Sequence, residues 1–284
     1  MANRTKHLIL KAAIPAIIVS SLAISSCNNE RSRWMGNDVK SEQPMGRLRT
    51  QDSLKACIDS ASAMIKAGNT QKAEKYVKAG FALDSSNAML HYLRGMIASV
   101  DIDSLDAGER AAVGSYTEAI KLDPSMQAAY RDRGIAYMNL GASQDSALRE
   151  KNMRLSICAY DDLKQAIRLK PNDIEAYICL LNVLMRLERY DEAALACQEL
   201  LKAAKLADTA EFGKMDIMEA RLEAYQNGAL AYFYTGKYGK AIEECDKACK
   251  INPMYYRLKA EMLGHLGRDA EALQALEKYF HNGK

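Results

Sequence analysis

The sequence lacks the short motifs on which many enzyme active sites are built. It contains neither the phosphate-binding pattern G-x-x-x-x-G-K-[ST] nor the nucleophile pattern G-x-S-x-G. Its four histidines are scattered along the chain, and no nucleophile stands beside a plausible base. These absences predict a chain that is not an enzyme and that uses no cofactor.

A strong excess of charge of one sign is also missing. The formal net charge is +3, from 39 basic and 36 acidic residues. The excess comes from Arg4, Lys6 and Lys11, because the first 27 residues contain no Asp or Glu. The rest of the chain is neutral in balance, which argues against nucleic acid as a partner.

Cysteine pairs with redox or metal-binding spacing are absent, although the chain has seven cysteines. Cys57, Cys197 and Cys245 take positions where other parts of the helical pattern described below place Tyr, Leu or Val, which predicts buried thiols. Two alternatives remain open. In one, Cys179 and Cys197 form a disulfide. In the other, Cys245 and Cys249 supply two ligands to a metal. No cluster of His or Asp completes such a site, so the sequence predicts no metal.

The N-terminus combines a basic start with an apolar run over residues 12–24. Thirteen residues are too few to span a bilayer of ~30 Å comfortably, which favours an export signal. The order Ile24, Ser25, Ser26, Cys27 resembles the bacterial lipobox. That resemblance implies a lipoprotein signal peptide over residues 1–27, with acylated Cys27 as the lipid attachment site. It also implies an exported chain anchored to a bacterial membrane, for which we expect the outer membrane. The alternatives are an ordinary cleaved signal and a retained anchor.

Residues 28–52 form a polar stretch that offers little to bury, which predicts a tether. A coil of about 25 residues has a typical end-to-end distance of about 25 to 30 Å. The sequence therefore predicts that the remaining residues, 53–284, stand off the membrane and stay near it.

Beyond the tether, alanine recurs at the same place in six successive stretches and is followed four and seven residues later by further packing residues. The six are Ala73, Ala112, Ala159, Ala193, Ala241 and Ala272. Offsets of four and seven lie on one helical face, and a second set upstream keeps the same spacing. Glycine follows the upstream set in four stretches and proline follows the alanine set in three, so each stretch predicts two helices. The residues are Gly68, Gly141, Gly236 and Gly267, and Pro124, Pro171 and Pro253.

This pattern resembles the tetratricopeptide repeat, and its best copy is GALAYFYTGKYGKAIEECDKACKINP, residues 228–253. The resemblance implies an all-α solenoid of about six helix pairs over residues 53–284. The units begin at Leu54, Ala88, Gln127, Ile174, Leu222 and Pro253. Their uneven spacing predicts insertions in repeats two and three and between repeats four and five.

The resemblance also implies a concave groove lined by the first helix of each repeat. Its lining is about half apolar and rich in methionine, which suits a surface that accepts a helix or an extended peptide. The alternative is a groove that the chain fills itself, by repeat packing, by the insertions or by dimerisation. The candidate groove residues are Lys66, Tyr92, Met96, Arg131, Ile135, Met138, Asn182, Met185, Arg186, Leu230, Phe233 and Tyr234.

These features predict a lipid-anchored adaptor that binds a protein or peptide partner in the groove at the bacterial envelope. The main alternative is a permanent structural subunit of an outer-membrane assembly or secretion complex. A homodimer is compatible with both. A third alternative, an enzyme or small-molecule binder that uses the inserted segments near Asp103 or Phe212, requires a deep pocket with converging polar groups.

Overall fold

The computed structural model describes residues 50–100, 105–142, 148–207 and 214–282. The predicted signal peptide, Cys27 and all but the last residues of the predicted tether lie outside these ranges. So do Asp103, Phe212 and the stretches 101–104, 143–147 and 208–213, where the insertions are predicted. The predicted insertions and the count of six repeats stay predictions.

The described residues confirm the all-α prediction, since they form twelve α-helices and no strand. A short 3-10 turn, Pro253–Tyr255, precedes the eleventh helix. The helices are α1 Thr50–Lys66, α2 Thr70–Leu83, α3 Ala88–Ala98, α4 Leu105–Leu122, α5 Gln127–Leu140, α6 Arg149–Leu169, α7 Ile174–Arg186, α8 Tyr190–Leu206, α9 Lys214–Tyr234, α10 Tyr238–Ile251, α11 Tyr256–His265 and α12 Asp269–Asn282.

The helices fall into two compact units that divide between Leu169 and Lys170. The first unit contains α1 to α6 and the second contains α7 to α12. Within each unit, helices that follow each other in sequence pack against each other. Consecutive packing of this kind is typical of repeat proteins, in which each helix pair contacts its neighbours.

Small residues hold the helices of each pair close together. Five of the six repeat alanines are fully buried, namely Ala73, Ala112, Ala159, Ala193 and Ala241. Gly95 of α3 lies against the ring of Tyr116 in α4, and Gly134 of α5 lies against Leu163 in α6. A side chain at either glycine would occupy space that the facing residue already fills. The predicted close approach of paired helices is therefore confirmed at these sites.

Three of the four predicted closing glycines have left-handed backbones. Gly68, Gly236 and Gly267 have φ values of 71°, 74° and 70°, and each lies two residues after the end of a first helix. Glu188 takes this position after α7, with a φ of 57°. Gly141 follows α5 directly at a φ of −89°, so it ends that helix without the left-handed turn. Glycine is favoured at left-handed positions because it has no Cβ to clash with the backbone.

Helix α9 begins earlier than the repeat pattern predicts. The fifth unit was predicted from Leu222, but the helix starts at Lys214 and runs for 21 residues. The added segment, KMDIMEAR, is rich in residues with high helix propensity, so it extends the helix upstream instead of forming a loop.

Candidate functional site

The six candidate groove residues of the first unit differ widely in exposure. Lys66, at the end of α1, is exposed, whereas Tyr92 and Met96 of α3 and Arg131 of α5 are half-buried. The other two, Ile135 and Met138 of α5, are 7% and 5% exposed. The candidates in the middle and near the end of α5 are therefore not accessible to a partner.

A polar network ties two half-buried candidates of the first unit, Tyr92 and Arg131, to each other. The Tyr92 hydroxyl donates to Asp132 at 2.8 Å, and the Arg131 Nε donates to the same carboxylate at 2.8 Å. Burial raises the pKa of Tyr92 well above its usual value, and the Asp132 charge adds to this effect. These groups already have partners within the unit, so they are poor anchors for a ligand.

A second ion pair links α5 to α6 and was not predicted from the sequence. Arg133 donates two hydrogen bonds of 2.7 Å to the carboxylate of Asp162 and a third, of 3.0 Å, to Thr117. The residues are far apart in the sequence, and no spacing rule for a single chain pairs them. A two-pronged contact of this kind orients the two helices and carries no reaction.

In the second unit, three of the six candidates are buried. Asn182, Met185 and Leu230 are 4%, 6% and 3% exposed, and their helices α7 and α9 contact each other. Arg186, Phe233 and Tyr234 are half-buried. At the three buried positions the chain itself fills the space that the prediction assigned to a partner, because neighbouring first helices pack closely there.

Two of the half-buried candidates of the second unit, Phe233 and Tyr234, belong to a cluster of rings, which we call the aromatic cluster: Tyr190, Phe233, Tyr234, Tyr238 and His265. Tyr190 and Tyr234 are stacked, with centroids 4.7 Å apart and planes at 22°. Phe233 lies 5.4 Å from Tyr238 and 5.9 Å from His265, between centroids. Ring pairs in these arrangements attract each other beyond the area that they bury.

The helix ends position this cluster. Tyr234 and His265 are the last residues of α9 and α11, and Tyr190 and Tyr238 are the first residues of α8 and α10. The chain turns sharply between each first helix and its second helix, so the rings gather at these turns. Arg186 ends α7 at the corresponding place. A cation at the carboxyl end of a helix is stabilised by the helix dipole.

Tyr190 and Tyr238 are site residues that the prediction missed. Each lies three residues before a repeat alanine, Ala193 or Ala241. This common position relative to the repeat alanine is visible in the sequence. The predicted groove, however, contains only residues of the first helix of each repeat and leaves out the start of the second helix.

Two polar groups of the second unit, one on α7 and one in the cluster, are unusual for buried side chains. The Asn182 side-chain NH₂ and the Tyr234 hydroxyl are buried, and neither has a hydrogen-bond partner within the described part of the chain. Burial, with smaller contributions from Tyr190 and Glu188, raises the pKa of Tyr234 to about 12. Burial lowers the pKa of Arg186, at the end of α7. A buried donor without a partner lowers the stability of the fold.

No other feature of the described residues indicates catalysis. They contain no group of three or more His, Cys, Asp and Glu side chains arranged to hold a metal. The six described cysteines are free thiols, of which only Cys158 is exposed. Burial raises the pKa of Cys249 to about 11, which keeps this thiol protonated and unreactive. None of the described helices has the length and apolar character needed to cross a bilayer.

Comparison with known proteins gives partial matches in sequence. No model of a known protein family matches the chain. The chain is 27% identical over 149 residues to the tetratricopeptide repeat and J domain-containing co-chaperone DNJ1 of Cryptococcus neoformans, covering 52% of the chain and 26% of that protein. It is 32% identical over 92 residues to the STIP1 homolog of Dictyostelium discoideum, covering 32% of the chain and 14% of that protein. The chain thus spans about a quarter or less of these relatives.

Solved structures match over more of the chain. The Pseudomonas aeruginosa pilF protein covers 81% of this chain and 90% of its own, with a TM-score of 0.55 and 15% identity. A tetratricopeptide repeat protein from Parabacteroides merdae covers 81% and 80%, with a TM-score of 0.55 and 17% identity. YrrB, described as a TPR protein with an unusual peptide-binding site, covers 77% and 97%, with a TM-score of 0.51 and 18% identity. At these identities the likeness is one of fold.

Proposed function

We propose that this chain, which has the tetratricopeptide-repeat fold, is a non-enzymatic adaptor that binds a protein or peptide partner at the aromatic cluster of its second unit. Phe233 and Tyr234 are the predicted groove residues that belong to this cluster. The aromatic cluster is the single observation that carries the proposal.

Two properties of the cluster suit a peptide ligand. Its rings are held in place by stacking and edge contacts, so little side-chain entropy is lost when a ligand binds. Phe233 and Tyr234 are half-buried, and Tyr238 is 42% exposed, which leaves apolar surface for a partner side chain.

The buried candidates reduce the part of the predicted groove that a partner can contact. Ile135, Met138, Asn182, Met185 and Leu230 pack inside their units, so direct contact with a partner requires local rearrangement. In the second unit, the part of the predicted groove that a partner can contact lies at the carboxyl ends of α7, α9 and α11. YrrB, a TPR protein with an unusual peptide-binding site, and the co-chaperone DNJ1 support a binding role of this class.

A display library of random peptides, selected on the purified full-length chain, tests the proposal. We expect enriched peptides to carry apolar or aromatic side chains and to bind at one site. Phe233→Ala and Tyr190→Ala should each weaken binding at least tenfold, because aromatic anchors dominate the binding free energy of such sites. Isothermal titration calorimetry measures the change.

Leu195→Ala is the matched control, since Leu195 belongs to the same unit and is 63% exposed. This change should leave peptide affinity unchanged. Peptides that bind equally well to the Phe233→Ala and Tyr190→Ala variants would place the site elsewhere and overturn the proposal.

We further propose that the chain is exported and that acylated Cys27 anchors it to a bacterial membrane, namely the outer membrane. The basic start, the short apolar run and the order Ile24, Ser25, Ser26, Cys27 support this. Growth with an alkyne-tagged fatty acid should label the chain, and Cys27→Ser should abolish the label. Cys158→Ser, which changes an exposed cysteine, should retain it. Label that survives Cys27→Ser would refute the anchor.

A permanent structural subunit is the second candidate function, and exposed apolar residues on α8 favour it. Leu195 is 63% and Leu206 is 80% exposed. If these residues hold the chain in a complex, Leu195→Asp should stop it from co-purifying with the other subunits of the assembly. The adaptor proposal expects no such loss, and it expects Phe233→Ala to prevent capture of the partner.

A further inference from the structure

Three sulfur-containing side chains are buried where α10 packs against α11. Cys245 and Cys249 of α10 are 0% and 5% exposed, and Met262 of α11 is 3% exposed. The Cys245 thiol donates to the thioether of Met262, with Sγ and Sδ 3.5 Å apart. We call these three residues the sulfur cluster.

The two thiols of the cluster lie on one face of α10. Cys245 and Cys249 are four residues apart, and side chains with this spacing are neighbours on a helix, with Cβ atoms about 5 to 6 Å apart. The thiols also interact electrostatically. Burial is the main cause of the raised pKa of Cys245, and Cys249 is the next largest cause. The second thiol is therefore close to the Cys245–Met262 contact.

The repeat pattern does not require sulfur at two of these positions. Cys249 lies eight residues after the repeat alanine, where the other second helices have Phe81, Ile120, Ile167, Leu201 and Phe280. Met262 takes a position where the other first helices have Ala63, Ile97, Ala136, Val183 and Ala231. Aliphatic or aromatic carbon fills these positions elsewhere, and sulfur replaces it on both sides of one helix contact.

We propose that the sulfur cluster binds one Cu(I) ion through Cys245, Cys249 and Met262. Thiolate and thioether sulfur are soft ligands, which select Cu(I). The Cys245 S–H already points at the Met262 sulfur, so an ion that replaces this proton lies between the two sulfurs. At a metal–sulfur distance of about 2.3 Å, two sulfurs in a trigonal site are about 4 Å apart. The two sulfurs need to separate by only about 0.5 Å from their present distance.

Binding exchanges protons for the metal and transfers no electron. Both thiols are protonated without the metal, because burial raises their pKa values. Cu(I) forms a bond to each sulfur, each S–H bond breaks, and two protons leave to the solvent. The Met262 thioether donates a lone pair and loses nothing.

The charges around the cluster are compatible with a bound ion. Two thiolates and Cu(I) together carry a charge of −1. Lys259, which pairs with Asp246, lowers the pKa of both thiols, and Lys278 lowers that of Cys249. The carboxylates that raise these pKa values, Asp246 and Glu244, each pair with a lysine. Positive charge therefore lies within electrostatic range of the site.

Zn(II) fits the cluster less well than Cu(I). Structural zinc sites have four ligands in a tetrahedral arrangement. The described residues contain no group of three or more His, Cys, Asp and Glu side chains that could hold a metal, so zinc would have the two thiols alone. The sequence left open a metal at Cys245 and Cys249, and the fold adds Met262 as the third ligand. The proposal does not depend on the aromatic cluster, because no residue of that cluster is a ligand.

Competition with the Cu(I) chelator bicinchoninate, in ascorbate and without oxygen, tests the site. The full-length chain in mild detergent carries Cys27→Ser and Cys158→Ala, so that the described thiols that remain are buried. We expect the chain to withdraw one Cu(I) from the chelator. Cys245→Ala with Cys249→Ala should abolish this withdrawal.

The matched control for these thiols is Cys179→Ala with Cys197→Ala, which removes two other buried thiols of the same unit. This variant should still withdraw one Cu(I). A parent chain that withdraws no Cu(I), or withdrawal that survives the loss of Cys245 and Cys249, would overturn the proposal.

Met262→Leu tests the third ligand, because leucine fills a similar volume without sulfur. We expect the Cu(I) Kd to rise at least tenfold while the circular-dichroism spectrum stays unchanged. X-ray absorption at the copper edge should show only sulfur neighbours, at about 2.3 Å, and one fewer of them in this variant. Met138→Leu, at a buried methionine of the first unit, should leave the Kd unchanged. An unchanged Kd in Met262→Leu, or nitrogen and oxygen neighbours around the copper, would refute the three-sulfur site.

Discussion

At the scale of single residues, the backbone turns that end the first helices follow from the sequence in three cases and not in the fourth. Gly68, Gly236 and Gly267 were visible because glycine at a regular spacing indicates a left-handed turn. Glu188 occupies the same turn without the signal, and only the conformation reveals it. Its turn makes the same hydrogen bond as the others, from Arg189 N–H to the Leu184 carbonyl at 2.9 Å. The helix packing around α7 therefore imposes the turn on a residue that does not favour it.

Replacing Glu188 by glycine should stabilise the protein. The left-handed conformation costs an ordinary residue about 1 to 2 kcal/mol, and glycine regains about half of this after its larger loss of chain entropy. We expect the free energy of unfolding to rise by about 0.5 to 1 kcal/mol in urea denaturation followed by circular dichroism.

Gly236→Ala is the matched control at the equivalent turn. No atom lies within 4 Å of the added Cβ, so only backbone strain changes. The free energy of unfolding of this variant should be about 1 kcal/mol lower than that of the unchanged protein. If Glu188→Gly instead lowers the free energy of unfolding, the left-handed backbone at this turn does not limit the stability of the protein.

At the scale of helices, the sequence predicted which residues bring helices together better than it predicted where helices begin. The recurring alanines and the small residues that face the neighbouring helix mark the contacts between helices. A close approach of two backbones leaves no room there for a larger side chain. The start of α9 at Lys214 was missed, because upstream residues with high helix propensity extend it beyond the repeat unit. The Arg133–Asp162 pair was missed, because it depends on how two helices are rotated.

Two glycines within helices separate packing from helix propensity. A Cβ at Gly95 would lie 2.4 Å from a ring carbon of Tyr116, whereas one at Gly114 of α4 would have nothing within 4 Å. Gly95→Ala should lower the free energy of unfolding by about 1 to 3 kcal/mol through overpacking. Gly114→Ala should raise it by about 0.5 to 1 kcal/mol, because alanine favours the helix. Urea denaturation measures both. Equal effects would mean that α3 and α4 do not pack as described.

At the scale of the whole molecule, the all-α repeat architecture was predictable, and which of the candidate groove residues are accessible was not. The register identified positions such as Met138 and Leu230 as inner-face residues, but it could not show that the chain buries them. Burial depends on how closely successive first helices pack, which repeat spacing does not fix. The aromatic cluster was predicted only in part, because Tyr190 and Tyr238 come from the second helices of their pairs.

Site-specific photo-cross-linking in living cells tests the central claim most directly. A photoreactive phenylalanine analogue at position 233 would report what contacts the aromatic cluster, and the same analogue at position 195 would report on another exposed part of the same unit. We predict that the probe at 233 joins the chain to a defined protein partner, and that Tyr190→Ala reduces the yield. Absence of adducts at 233, or the same adducts at 195 with equal yield, would contradict binding at the cluster.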